Sequence, residues 1–478
     1  MRLIAPVFVL LLTYLSGALP AVAQETTTAP SPVRTPMPDP SSPFLGGVPA
    51  GEYSGAPLSL SLGDAIARGL QHNLGVLLQE QALTSARAAR WESLSDLLPD
   101  ISARVGEARR KASLAEFGFT DFPGLTSRTI GPFNVFDTRL DVTQSIVDLS
   151  ALYKSRAGAA GVRAAQYDIK NARDLVVLVV ANLYLNAISA TARVDAARAT
   201  LTTADTLLQL ATDLKSAGLA AGIDVLRAQV QQQSERQRLI VAENDLAKAK
   251  LQLARSIGLP PGQDVTLIDR IPYAPLENAT LEGALKRAYA TRSDFLAAQQ
   301  LLAGAEADHK SAQAALLPTL DITGEVGRVG TSTSSTDFVY GVAASVRVPL
   351  FERGHQQADL ARTDADLRRQ RALVGDLRAR IDLEVRSALL DVSAAQQALE
   401  AAQTGLDLAN QQLAQSRDRF GAGVAGSIEV VQSQEAVARA NDNYISALYA
   451  HNLAKAMLAR AVGIAEDAVQ SYLGGLQK

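Results

Sequence analysis

Few residues in this chain are of a type and spacing that could do chemistry. His72, His309, His355 and His451 are scattered, with no pair at ligand spacing, so no coordination shell can be completed around them. Cysteine is absent, which removes thiolate nucleophiles, thiolate metal sites and disulfides, and leaves no acceptor for an N-terminal lipid. No nucleophile–base pattern and no phosphate-cradling glycine loop occurs. We therefore expect no catalytic residue, no metal, no cofactor and no enzyme activity. What remains is fixed charge. Asp137, Arg139 and Asp141 alternate along one segment, and Arg347 sits in a similar one. Asp224 and Glu429 stand where helices begin, the end of a helix dipole that favours acids. Arg368-Arg369-Gln370-Arg371 reads as a solvated helix face. Such charges can order water and ions without making bonds.

The elements that position these charges are duplicated. Asp64-Ala65-Ile66 matches Gly283-Ala284-Leu285, and Leu97-Leu98-Pro99 matches Leu316-Leu317-Pro318, both 219 positions apart. Ile223-Asp224-Val225 matches Ile428-Glu429-Val430, and Arg255-Ser256-Ile257-Gly258 matches Arg460-Ala461-Val462-Gly463, both 205 apart. A period near 200 is too long for a solenoid unit, so the chain reads as a duplicated half-domain with one loop longer in the first copy. We divide it into an export signal (residues 1–23), a Pro-rich extended segment (24–57), repeat 1 (58–262), a linker (263–279), repeat 2 (280–467) and a tail (468–478).

Each repeat reads as helix, hairpin, long helix, returning helix. The first helix begins near Ser59 or Ser61, with Asp64 as capping-box partner of Ser61, and should run to about Leu98 before Pro99. Its copy begins at Thr280 and stops before Pro318. Next come alternating segments, Ile101 to about Arg109 and Phe136–Ile146, then Leu320 to about Val329 and Phe338–Val348. Each is about ten residues with period two, the pattern of a membrane-crossing barrel strand. Lys111–Pro132 and Gly330–Asp337 are the expected turns. Beyond each hairpin, Val385, Val392, Leu399, Leu406, Leu413 and Phe420 recur every seven residues, with Ala388, Ala395, Ala402, Ala409 and Ser416 between them. The first copy has Val180, Ala187, Val194, Leu201, Leu208 and Lys215 at the equivalent places. A large residue facing a small one over five heptads is a close-packed coiled-coil seam. Without proline from Ser150 to Ser216, that helix could reach ~100 Å. Glycines stop it: Gly218 and Gly222 in one copy, Gly423 and Gly426 in the other.

Composition sets the compartment. A net charge of -3 gives no basic footprint, so no nucleic-acid partner is expected. Arg2, the apolar run Leu3–Leu15 and Ala21-Val22-Ala23 form an export signal with a small-residue cleavage site. No other long unbroken apolar stretch is expected, so any membrane crossing must be by strands. Four strands cannot close a barrel. Two chains would make eight and three would make twelve, the latter wide enough for a conduit. The polar strand phase, Asp137, Arg139, Asp141 and Arg347, would line water while the other phase meets lipid.

The duplicated helix–hairpin–helix plan resembles the TolC-like outer-membrane efflux protein family over essentially all of residues 58–467. Pro349-Leu350-Phe351-Glu352-Arg353-Gly354 is similar to that family's strand-to-helix junction, with Gln144-Ser145-Ile146-Val147-Asp148 as a weaker copy. The turns at Ile223–Gln229 and Ile428–Gln434 are similar to its G-x-x-x-x-[DE]-V-x-x-x-Q pattern. The resemblance implies a mostly helical fold with a membrane β-barrel portion, a homotrimeric twelve-stranded barrel continuing into a periplasmic α-helical tunnel. It implies a passive outer-membrane exit duct of a tripartite efflux or type I secretion system, served by a periplasmic adaptor and an inner-membrane pump. It also implies a gate at the second tip, where Glu429 matches the acidic position and Gln432 stands one turn further in, and adaptor contact at the tips around Gly218, Gly222, Gly423 and Gly426. A periplasmic adaptor, or a structural coiled-coil protein of the envelope, is the competing class. An adaptor has a single hairpin and a coiled-coil protein no strand pairs, whereas this chain has two repeats with both.

Overall fold

The computed structural model describes residues 42–53, 55–114, 129–218, 220–269, 280–350 and 354–467. The export signal, most of the Pro-rich segment, linker residues 270–279, the tail, and Phe351, Glu352 and Arg353 of the junction motif lie outside the described residues.

The opening helix is two helices, not one. α1 (Leu62–His72) starts on the expected capping box: Ser61 accepts from the Asp64 N–H, and Asp64 reaches back to the Ser61 backbone. It stops at Asn73, and α2 (Leu74–Ser95) begins there. Asn73 is fully buried and extended, with φ -68 and ψ 131. Its side chain caps the Gly75 N–H at 2.9 Å and donates to the carbonyls of Phe44 and Ser256, at 2.8 and 3.1 Å. The second copy breaks at the matching place, between α5 (Leu281–Thr291) and α6 (Ser293–Ala314). There the buried Arg292 guanidinium binds Asp294 at 2.6 Å and Glu384 at 2.5 Å. Each break is held by a polar side chain that pairs with a near neighbour and also with partners across the tertiary fold, so helical periodicity alone runs through it.

Before α1, β1 (Leu58–Leu60) pairs in parallel with β4 (Val265–Leu267) from the linker. Asp269, just beyond β4, accepts from the Leu62 N–H at 2.7 Å and the Tyr184 hydroxyl at 2.7 Å. The linker's first residues are thereby tied to the first and third helices of repeat 1.

The long helices are α3 (Leu149–Ser216) and α7 (His355–Gly421), and the returning ones α4 (Gly222–Ser256) and α8 (Ser427–Val462). On α7 the seam positions Val385, Ala388, Val392, Leu399, Ala409 and Phe420 are buried. The upper part of that seam packs on Ala454, Leu458 and Val462 of α8 and on α5. Lys215, where the first-copy seam ends, is exposed. One expectation fails on α3, which carries a stretch apolar enough to cross a membrane by length and composition. Val176, Val177, Val180, Ala181 and Leu185 there are at most 1% exposed, packed with Ile66 of α1, Leu253 of α4 and Ala459 of α8. A helix covered on several faces needs no polar face, so this is core and not a span.

The strands form one antiparallel sheet in the order β2 (Asp100–Ser113), β3 (Thr129–Val147), β5 (Thr319–Ser332) and β6 (Ser335–Arg347). The two hairpins join through β3 and β5, in a register that sets Leu140 opposite Val326 and Asp141 opposite Glu325. β2 and β6 are the two open edges. The strands are longer than the expected ten residues, and β5 turns into β6 within Ser332–Ser335 where a longer Gly330–Asp337 turn was expected. Backbone pairing continues beyond the alternating residues, because the ladder bonds do not depend on side-chain type.

Candidate functional site: the two sheet faces and the helical tips

Side chains alternate across a strand, so the pairing register assigns each residue to a face. Asp137, Arg139 and Asp141 share one row phase with Ser102 and Arg104 of β2, Glu325 of β5 and Gly341 of β6. Arg347 stands in the same phase at the helical end of the sheet, opposite Thr319. Arg139 bridges Asp137 on its own strand and Glu325 on the next, both at 2.8 Å, and Arg104 lies 3.5 Å from Asp141. Arg104 and Glu325 were not singled out in sequence, since only the register brings them to Asp141 and Arg139. The opposite phase is mainly apolar. Ile101, Val105, Leu140, Val326, Tyr340 and Val342 lie on it and are all exposed.

The helical tips are the second locale. Gly218 and Gly423 adopt positive φ, 74 and 72, the left-handed conformation that ends a helix where a β-carbon would be strained. Gly222 opens α4, and Gly426 is the N-cap of α8. Glu429 lies in the first turn of α8, its carboxylate 3.4 Å from Arg419 at the end of α7. Gln432 is exposed on the next turn. Asp224 does more than face a helix dipole. It accepts a 2.5 Å hydrogen bond from Ser427, a buried residue of the other tip, and stands 3.5 Å from Arg227. The two acids therefore differ: Asp224 ties α4 to α8, whereas Glu429 is held by its own hairpin.

Behind the tips lies a polar layer that sequence patterns did not reveal. Arg238 of α4 donates to Glu235 at 2.8 Å and to both oxygens of Glu435 on α8 at 2.9 Å. Gln231 donates to the same two carboxylates at 2.7 and 3.2 Å. Burial pushes both acids up. For Glu435 the hydrogen bonds from Arg238 and Gln231 reverse this and hold it below the usual range, whereas Glu235 stays raised, with the Glu435 charge adding to burial. The only signal in the sequence was polar residues on the inner phase of α4.

No group of three or more metal-ligating side chains occurs among the described residues. The family described as "Outer membrane efflux protein" matches residues 65–259 and 284–464. "Pyoverdine export outer membrane protein OpmQ" of Pseudomonas aeruginosa is 26% identical over 396 residues, 79% of this chain and 80% of that protein. "Protein CyaE" of Bordetella pertussis is 29% identical over 385 residues, 75% of this chain and 80% of its own. Among solved structures, the open-state MtrE outer membrane channel of Neisseria gonorrhoeae superposes with a TM-score of 0.72 at 20% identity, covering 84% of this chain and 89% of that one.

Proposed function

The chain belongs to the outer membrane efflux protein family, and we propose that it works as a homotrimer whose twelve strands close one passive conduit, with a periplasmic adaptor and an inner-membrane pump as partners. It is an outer-membrane efflux channel with a periplasmic extension. The observation that carries the trimer is the four-stranded sheet with one apolar exposed face, one charged face and two unpaired edges. An open edge cannot face lipid, so edges must pair between chains. Three chains of four strands make twelve, a barrel wide enough to hold water, and its lining would be the phase of Asp137, Arg139, Asp141 and Arg347.

The helices support the same reading. On α4, Leu226, Val230, Ile240 and Leu251 are exposed and fall on one stripe of alternating four- and three-residue steps. On α7, Leu383, Leu390 and Leu408 are exposed on a face distinct from the buried seam. Two-faced long helices are what a closed tube of helices requires, each packing within its chain and against a neighbour. Driven by another protein's energy, such a duct needs no catalysis. Residues 1–23 would direct export, Glu429 with Gln432 would narrow the tunnel's second tip, and the tips around Gly218, Gly222, Gly423 and Gly426 would meet the adaptor. Mass measurement of the detergent-purified protein, with gel mobility before and after boiling, tests the assembly. A heat-modifiable trimer is expected, and a folded monomer overturns it.

A further inference from the structure

Among the paired positions of the sheet's apolar face, charge is confined to the end far from the helices, at Glu107, Arg109 and Arg328. Arg328 lies between Thr138 and Phe338 in the ladder, in the row phase of Leu140, Val326 and Tyr340. It is exposed and makes no ion pair among the described residues. The helices attach where β3 and β6 end and where β2 and β5 begin, so Thr319 marks the helical, periplasmic end of β5. Arg328 is nine residues beyond Thr319, about 30 Å along the strand. At a strand tilt of about 40° that is roughly 23 Å of height, close to the ~25 Å apolar band of an outer-membrane barrel. On the membrane reading, with Thr319 at the inner boundary, this height puts Arg328 at the outer boundary of the hydrocarbon, where a charge meets headgroups instead of lipid tails.

Its surroundings have the same logic. Phe338 is the direct neighbour of Arg328, and Tyr340 follows one row closer to the helices, with ring centroids 6.2 Å apart. Exposed aromatic rings at this level form an interfacial collar. Arg109 on β2 continues the same face about 13 Å further out, opposite Asn134. The one acid on this face here among the described residues, Glu107, accepts from the Asn134 amide at 3.2 Å. Among the described residues this face thus offers two arginines against one already engaged carboxylate, a net positive rim on the outer leaflet.

We propose that Arg328, with the Phe338 ring beside it, binds a phosphate of the phosphorylated glycolipid that forms the outer leaflet, and that Arg109 further out adds to the attraction. Guanidinium groups pair with phosphate through two parallel N–H donors, and the ring beside Arg328 packs on the top of the acyl chains. The proposal rests on the membrane reading of the sheet. Native mass spectrometry of the detergent-purified wild-type assembly would compare lipid A, dephosphorylated lipid A and phosphatidylglycerol. Lipid A should be retained on the order of tenfold more tightly than its dephosphorylated form, with phosphatidylglycerol weaker than lipid A. Arg328→Gln should remove most of that difference and Arg109→Gln a smaller part. Equal retention of lipid A with and without phosphate overturns the proposal, and so does equally tight phosphatidylglycerol. If Arg328→Gln does not assemble, the wild-type comparison still decides. Absence of a heat-modifiable wild-type assembly would instead count against the channel reading itself.

Discussion

Glu429 and Asp224 occupy equivalent positions of two repeats, yet their surroundings give them different roles. Glu429 keeps its carboxylate near Arg419 of the same hairpin and partly open to solvent, so three copies at a closing tip would favour cations over anions. We expect Glu429→Gln to reduce cation preference in planar bilayers and Glu429→Lys to reduce it further, because lysine also repels Arg419. Asp224→Asn should alter selectivity less and loosen the tie to Ser427. Reversal potentials in a salt gradient measure the first effect. If Glu429→Lys leaves the reversal potential unchanged, Glu429 is only a helix-start acid worth about 0.3–1 kcal/mol. Lys455 on α8 gives a second test at this scale. Burial pushes its ammonium down to about 8 from 10.5, and its side chain is 1% exposed. A base with a depressed folded pKa destabilises the fold while it is charged in both states, at pH below about 8. The penalty shrinks as pH rises from about 8 toward 10.5, by at most about 1.4 kcal/mol per pH unit. Thermal melting should therefore shift upward over that range, and Lys455→Met should flatten the dependence. A wild-type melting temperature that falls over the same range would sink this.

At the scale of the element, the seam of α7 is the test case. Ala388 and Leu399 are 6% and 2% exposed, so neither has room to spare. Ala388→Leu should overpack the contact with α8 at a cost of about 1–3 kcal/mol. Leu399→Ala should leave a cavity costing about 2–5 kcal/mol. Urea unfolding followed by helical circular dichroism reads both, and wild-type midpoints for the pair would remove the seam argument. The heptads were legible in sequence because a seven-residue repeat is a local property of one helix. The breaks at Asn73 and Arg292 were not. No proline marks them, and each depends on partners far along the chain: Ser256 for Asn73 and Glu384 for Arg292.

For the whole molecule, the exposed stripes of α4 and α7 predict where chains meet. Replacing Leu390 and Leu408 of α7 together by glutamate puts charge on an exposed apolar stripe while leaving the buried seam alone. We expect the double variant to fold its helices yet yield mostly unassembled protein in outer-membrane extracts, measured by size and boiling-dependent mobility. Normal trimer yield would assign those leucines to solvent and leave assembly to the barrel edges. The polar layer of Gln231, Glu235, Arg238 and Glu435 belongs to this scale as well, since it joins the returning helices of the two repeats just behind their tips.

The sequence by itself determined the duplication, the order of elements in each repeat, the seam of α7 and the two phases of the strands. These follow from periods of seven and two and from motif spacing, all properties of short stretches of chain. It also pointed to the family, because order and duplication survive where single motifs are weak. Tertiary structure alone decided the rest. It broke the opening helices at buried polar residues, turned the apolar stretch of α3 into core, and set the register that pairs Arg139 with Glu325 and leaves Arg328 on the apolar face. Register and burial depend on which distant segments meet, and a one-residue slip would move every strand side chain to the other face. No local pattern in the chain encodes that choice.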